Sequence, residues 1–246
     1  AACWALGELG DPQAVPALIE ALEDCSGRCS EDVRRAAAEA LGKLGDPEAV
    51  PALVRRLLDR DSSVRCAAAK ALGKLGDPQA VPALIQALGN SDRDVRWAAA
   101  EALVKIGTPA VPALIQALGD SSKYVRRAAA WALGELGDPQ AAPALIEALQ
   151  DSDWVIDDYY AEFLDRNEYV RRAAAAALGK LGDPKTVPAL IQALGDSSDG
   201  VRYAAAEALA KIGTPAVPAL IQALGDSKWW VRRAAAEALG AIGDPK

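Results

Sequence analysis

The stretch VRRAAAEALGKLGDPEAV, residues 33–50, decides the fold, because close copies of it return along the whole chain. The valine that opens it recurs at 33, 64, 95, 125, 170, 201 and 231, at intervals of 31, 31, 30, 45, 31 and 30. Periods in this range mark stacked supersecondary units, each too small to bury its apolar face alone. Within the stretch, Val33, Ala37, Ala40, Leu41 and Leu44 fall at i, i+3, i+4 spacing and predict the buried stripe of a helix. Gly45 ends that helix, since glycine takes the left-handed conformation that satisfies the last carbonyls. Asp46 and Pro47 supply an N-cap and a first-turn residue for the next helix. Pro51 cannot sit inside a regular helix, so the expected path is a short turn after Pro47 and a kinked or restarted helix through Leu57. The same corner recurs at Gly10-Asp11-Pro12, Gly76-Asp77-Pro78, Gly137-Asp138-Pro139 and Gly182-Asp183-Pro184. Two units carry Thr108-Pro109 and Thr214-Pro215 instead, with one residue fewer, and the threonine hydroxyl is expected to cap there.

Composition narrows the reading further. The chain has 246 residues, with 27 Lys+Arg against 34 Asp+Glu and a formal charge of -7. That balance gives no bulk attraction to nucleic acid or to an anionic membrane. Repetition argues for one elongated array over 1–246, interrupted near 25–30 and 151–168, with an apolar seam in place of a single compact core. No run of 18 apolar residues occurs, and the opening AACWALGELG lacks a basic n-region. No membrane span or signal peptide is expected, and the cytosol is the default compartment.

The pattern AVPALIQALGDSSxxVRRAAAEALGKLGDP resembles the HEAT-like repeat of the phycobilisome lyase family, over nearly all the chain apart from the two insertions. The resemblance implies an all-α, right-handed alpha-alpha solenoid of about seven helix pairs plus a partial unit. The helices that start at Val33, Val64 and their equivalents would line its concave side. Members of this broad group include bilin lyase subunits, iron-containing hydroxylases of lysine-derived residues and artificial binding scaffolds. The hydroxylase branch needs His-Glu pairs to hold iron, and this chain has no histidine. The resemblance also implies an Arg/Asp ladder between repeats, built from Arg34, Arg65, Arg96, Arg126, Arg171, Arg202 and Arg232 with Asp11, Asp46, Asp77, Asp138 and Asp183. Seven copies suit a structural role, and bidentate geometry suits repeated positioning. Near-identical units, no Met and a single Phe leave engineering or recent duplication open as origins.

In a repeat array the constant positions carry the scaffold, and the varying ones usually carry recognition. Two residues after each opening valine stand Arg35, Cys66, Trp97, Arg127, Arg172, Tyr203 and Arg233. Four further on stand Glu39, Lys70, Glu101, Trp131, Ala176, Glu207 and Glu237, with Trp4 in the first, partial unit. Spacings of four place both sets on one helical stripe. Trp4, Arg35, Trp97, Arg127, Trp131, Arg172, Tyr203 and Arg233 have the makeup of a protein-binding surface, since aromatic and arginine anchors carry most interface energy. The plain alternative is a row of ordinary solvent-facing positions. Glu39, Glu101, Glu207 and Glu237 in the same stripe argue against phosphate binding.

The longer insertion, between Leu149 and Val170, carries Trp154, Tyr159, Tyr160 and Phe163 among many carboxylates. It reads as a short amphipathic helix whose apolar side either packs on the edge of the array or contacts a partner, including a second copy of the chain. Its carboxylates lack the order and glycine of an EF-hand loop, so no metal is assigned. The shorter insertion places Cys25 and Cys29 around a Ser-Gly-Arg turn, with free thiols expected in a reducing compartment and no zinc framework. No acid–base pair stands at a defined spacing, and a thiol nucleophile has no histidine to activate it. The leading expectation is therefore a protein-binding scaffold without cofactor. The alternative implied by the resemblance is a bilin lyase subunit acting on a linear tetrapyrrole.

Overall fold

The computed structural model describes residues 2–23, 30–151, 154–156, 163–165 and 167–243. Its helices are α1 (Ala2–Leu9), α2 (Val15–Glu23), α3 (Glu31–Leu44), α4 (Val50–Arg56), α5 (Ser62–Leu75), α6 (Val81–Ala87), α7 (Arg93–Ile106), α8 (Val111–Ala117), α9 (Lys123–Leu136), α10 (Ala142–Ala148), α11 (Glu168–Leu181), α12 (Val187–Ala193), α13 (Asp199–Ile212), α14 (Val217–Ala223) and α15 (Trp229–Gly243). From α3 onward, long helices of 14 or 15 residues alternate with short ones of 7. Among the described residues the fold is an all-α array of seven helix pairs followed by one further helix. Among the described residues no single helix is long and apolar enough to cross a membrane.

Two compact units form, Ala1–Ala113 and Leu114–Lys246. In the first, α1, α3, α5 and α7 pack side by side in chain order, and α2, α4 and α6 each back the long helix that comes next. In the second, α9, α11, α13 and α15 do the same, backed by α10, α12 and α14. Leucines and alanines make both cores: Leu41, Leu72, Leu133 and Leu178 have no exposed surface. Each such leucine contributes about 1.5–3 kcal/mol by leaving water.

Where a glycine meets an alanine, as at Gly42 and Gly179, the long helices approach closely. A Cβ on Gly42 would stand 2.8 Å from both Cα and Cβ of Ala71, and one on Gly179 would stand 2.7 Å from Cα of Ala208.

The corners obey the expected chemistry. Gly45 adopts φ 73° and ψ 15°, and its amide donates to the Leu41 carbonyl. Pro47–Ala49 form a 3-10 turn, capped by Asp46 accepting from the Glu48 amide at 2.9 Å, before α4 starts at Val50. Pro51 thus falls in the first turn of α4, where its missing N–H is not needed. The threonine corners differ from expectation. Gly107 and Gly213, not Thr108 and Thr214, occupy the capping position, and no side-chain cap forms. With one residue fewer, a single glycine both ends one helix and begins the next turn. Gly107 does so at φ 86°, ψ -148°, a backbone state open essentially to glycine alone.

The longer insertion is not helical where it is described. Strands β1 (Trp154–Ile156) and β2 (Phe163–Asp165) pair antiparallel, with Val155 opposite Leu164. Aromatic and β-branched residues favour that state, and antiparallel pairing returns the chain to its point of departure. There the Asn167 side-chain amide donates to Asp151 Oδ1 at 3.0 Å. Tyr159, Tyr160, Cys25 and Cys29 lie outside the described residues.

Candidate recognition surface

Adjacent arginines near the starts of α3, α9 and α11 do opposite work. Arg34 is buried, and its Nε and Nη2 donate to Asp59 Oδ2 and Oδ1 at 3.0 and 3.1 Å. Arg171 binds Asp196 in the same way at 2.7 and 2.9 Å, and Arg126 binds Asp151 at 2.6 and 3.4 Å. Arg65 Nη2 instead donates to the Asn90 side chain at 3.4 Å. Each acceptor lies 25 residues after its arginine, in the loop that precedes the next long helix. Nη1 reaches back to the preceding loop: Arg65 donates to the carbonyls of Asp59 and Arg60 at 2.8 and 3.1 Å, and Arg171 to that of Asp151 at 3.1 Å. One guanidinium thus ties two successive loops.

The ladder therefore does not use the corner aspartates. Asp11, Asp46, Asp77, Asp138 and Asp183 cap the 3-10 turns, each accepting from the amide two residues on. The reason is distance: the corners lie at the far end of the long helices, some ten residues or about 15 Å from the arginine row. Burial pushes the Asp59 carboxyl up. The Arg34 hydrogen bond, the Asp61 amide and the charges of Arg34 and Arg56 outweigh it and hold the group below the ordinary carboxylate value.

The next residue in each helix points the other way. Arg35, Arg127, Arg172 and Arg233 are exposed, as are Trp97 at 51% and Tyr203 at 62%. Trp131, one turn further along α9, is only half-buried and so contributes part of its ring to the surface. Trp4 lies on α1, Trp154 on β1 and Phe163 on β2, and the side chains of all three lie outside the described part of the molecule.

In the first unit this row borders a shallow groove of about 600 Å³ across α3, α5 and α7, lined among others by Arg35, Glu39, Cys66, Lys70, Lys74 and Lys105. The Cys66 thiol is free and lies 3.9 Å from the Asp94 carbonyl. Lys43, a neighbour on the same wall, is paired with Glu8. Side chains of both charge signs line the groove beside apolar surface. Among the described residues no three His, Cys, Asp or Glu side chains gather as a metal site.

In the second unit the row is joined by aromatic residues just before three of the four valines, Val125, Val170 and Val231. Tyr124 and Tyr169 are 48% and 49% exposed, and Trp229 is 59% exposed. The Arg127 guanidinium lies over the Tyr169 ring of the next helix, 5.1 Å from its centroid. Arg202 and Lys228 both lie 5.8 Å from the Trp230 centroid, and Trp229 meets Trp230 edge to face. The row Tyr124, Tyr169, Gly200, Trp230 is visible in the sequence as the position before the opening valine, whereas the varying positions that suggest recognition there begin two residues after it.

A family model for HEAT repeats matches residues 1–65, 57–115, 81–161, 159–217 and 215–246. The chain belongs to the HEAT-repeat family. Solved structures similar to this HEAT-repeat protein include human deoxyhypusine hydroxylase in complex with glycerol, 27% identical, covering 98% of this chain and 88% of that one with a TM-score of 0.42. The complex of CpcE and CpcF of phycocyanin lyase from Nostoc is 28% identical, covering 98% and 87%, with a TM-score of 0.44. Kap95p, in a structure with RanGDP, shares 16% identity, covering 96% of this chain and 36% of that one, with a TM-score of 0.58. The likeness to Kap95p, at a TM-score of 0.58 and 16% identity, shows the fold alone. No curated protein sequence matches it.

Proposed function

We propose that this HEAT-repeat protein is a protein-binding scaffold that holds its partner on the exposed row of the long helices. The observation that carries this reading is the placement of aromatic and arginine side chains in that row. Trp97 and Tyr203 stand more than half exposed beside positions that are fully buried, such as Ala99 and Ala205. Large exposed aromatics set among arginines are what energetically important interface residues look like. They stand on rigid helices, so little ordering cost accompanies binding. Related solved proteins of this fold include one described in complex with a second protein, Kap95p with RanGDP, which accords with the reading.

The test is affinity capture with the full chain and with a Trp97→Ala, Tyr203→Ala double variant, circular dichroism showing equal helicity. Loss of a specifically retained protein in the double variant supports the scaffold reading. Equal retention by both overturns it. A linear tetrapyrrole added to the parent chain, with a shift in its absorption spectrum, would instead favour the bilin-lyase alternative.

A further inference from the structure

We infer that the longer insertion takes a partner of its own, an extended basic segment that adds as a third strand beside β1. The site uses none of the residues of the exposed row, so the inference goes beyond the scaffold reading and does not depend on it.

The array does not need the insertion for its own packing. The interval between valines is 45 across it, against 30 or 31 elsewhere. Even so, α9 meets α11 as other long helices meet: a Cβ on Gly134 would stand 2.8 Å from Cα of Ala177, the same distance as from Gly42 to Ala71. Arg126 still finds its acceptor 25 residues on, at Asp151. Arg171 Nη1 donates to the Asp151 carbonyl at 3.1 Å, and the Asn167 side-chain amide donates to Asp151 Oδ1 at 3.0 Å. Both ends of the insertion are thus tied to the ladder. A segment that leaves the neighbouring helix contact unchanged and starts from a fixed base is placed to meet something outside the array.

The backbone sets the kind of partner. Strands β1 and β2 have three residues each, and among the described residues no third strand joins them. The outer edge of each therefore presents N–H and C=O groups without a ladder partner in the sheet. A two-stranded ribbon is marginal in water, and a third strand is one of the additions that make such a sheet stable. Addition of an extended segment to a free edge is a recurring mode of peptide recognition.

Charge selects the edge and the partner's sign. In the sequence Asp153 directly precedes β1, and Asp157 and Asp158 directly follow it. Strand β2 is preceded by Glu162, contains Asp165 and is followed by Arg166, the one cation between Asp151 and Glu168. Asp151 and Glu168 are themselves engaged, by Arg126 and by Ser198 Oγ. The remaining five carboxylates against one guanidinium leave the ribbon net negative, and the flanks of β1 carry no cation. A strand that bears lysine or arginine complements that edge. A second copy would bring the same acids into the pairing, and like charges opposed across strands are destabilising.

The test uses the full chain and three labelled heptapeptides: alternating lysine and valine, alternating lysine and proline, and alternating glutamate and valine. The lysine–proline peptide has the charge of the first, but its prolines hold φ near about -65°, away from a regular strand, and remove every second N–H. Fluorescence anisotropy is expected to show the lysine–valine peptide binding roughly tenfold or more tightly than either control, weakening as salt rises. Hydrogen exchange is expected to slow at the amides of Trp154, Val155 and Ile156 when that peptide saturates the chain. Asp153→Asn with Asp157→Asn and Asp158→Asn is expected to weaken its binding by about tenfold or more at an unchanged urea midpoint. Equal binding of the two lysine peptides would leave charge as the sole attraction and overturns the inference. So does no binding at about 1 mM, or a bound state in which the β1 amides stay unprotected. A dimer of the full chain, seen by sedimentation, that protects those amides without peptide also overturns it. None of these outcomes bears on capture by the Trp97→Ala, Tyr203→Ala variant, which decides the scaffold reading by itself.

Discussion

The guanidinium of Arg34 meets both carboxylate oxygens of Asp59 in a fork, with the two side chains only 4% and 3% exposed. Removing one member of such a pair leaves a buried charge without its main partner. Arg34→Met is expected to cost about 3 kcal/mol, at the low end for a broken buried pair because Arg56 still reaches Asp59 at 3.3 Å. Urea unfolding measures this. Replacing both residues, Arg34→Met with Asp59→Leu, should recover most of the loss.

The same carboxylate makes stability depend on acid. Asp59 holds its proton less well in the folded chain than in the unfolded one, because its folded value is lowered. Its contribution is full above the ordinary carboxylate value and is lost as pH falls through that value toward the lowered folded one. Asp59→Asn should therefore flatten the fall of the urea midpoint between about pH 5 and pH 3. An unchanged acid slope would show that Asp59 contributes nothing to it.

Glycines at one position of the repeat should respond with opposite signs to the same substitution. A Cβ on Gly42 meets the Ala71 backbone at 2.8 Å, whereas one on Gly240 meets nothing within 4 Å. Gly42→Ala is expected to destabilise by about 1–3 kcal/mol through overpacking. Gly240→Ala should stabilise by up to about 1 kcal/mol through helix propensity. Thermal unfolding of the two variants makes the comparison.

Corner glycines divide by conformation. Gly45 sits in the left-handed helical region, which asparagine also enters, while Gly107 at φ 86°, ψ -148° does not. Gly45→Asn is expected to cost less than about 1 kcal/mol and Gly107→Asn about 1–3 kcal/mol, again read from urea unfolding.

Much of this was legible in the sequence. The period, the αL glycine at 45, the turn after Pro47 and the short helix, expected through Leu57 and ending at Arg56, all arise from local chemistry that repeats, and local chemistry is what a sequence shows directly. Three things were not. The ladder acceptors Asp59, Asn90, Asp151 and Asp196 lie in loops, away from the conspicuous corner aspartates, though a constant offset of 25 residues marks them. The threonine corners looked capped by a hydroxyl, but shortening by one residue moved the cap to Gly107 and Gly213. The insertion looked amphipathic, yet Val155 and Ile156 pair as a strand against Phe163 and Leu164 because the chain must return to Asp151. At the recognition surface the row after each valine was readable, whereas the stacking of Arg127 on Tyr169 joins residues on different helices and needs the packed structure.

The most direct test separates scaffold from surface in one set of proteins: the parent chain, Arg34→Met, and Trp97→Ala with Tyr203→Ala, each measured for urea midpoint and for retention of a specific protein partner. Arg34→Met is expected to lower the midpoint but keep the partner at low denaturant, while the double variant keeps the midpoint and loses the partner. Retention of the partner by the double variant at an unchanged midpoint would contradict a binding role for the exposed row.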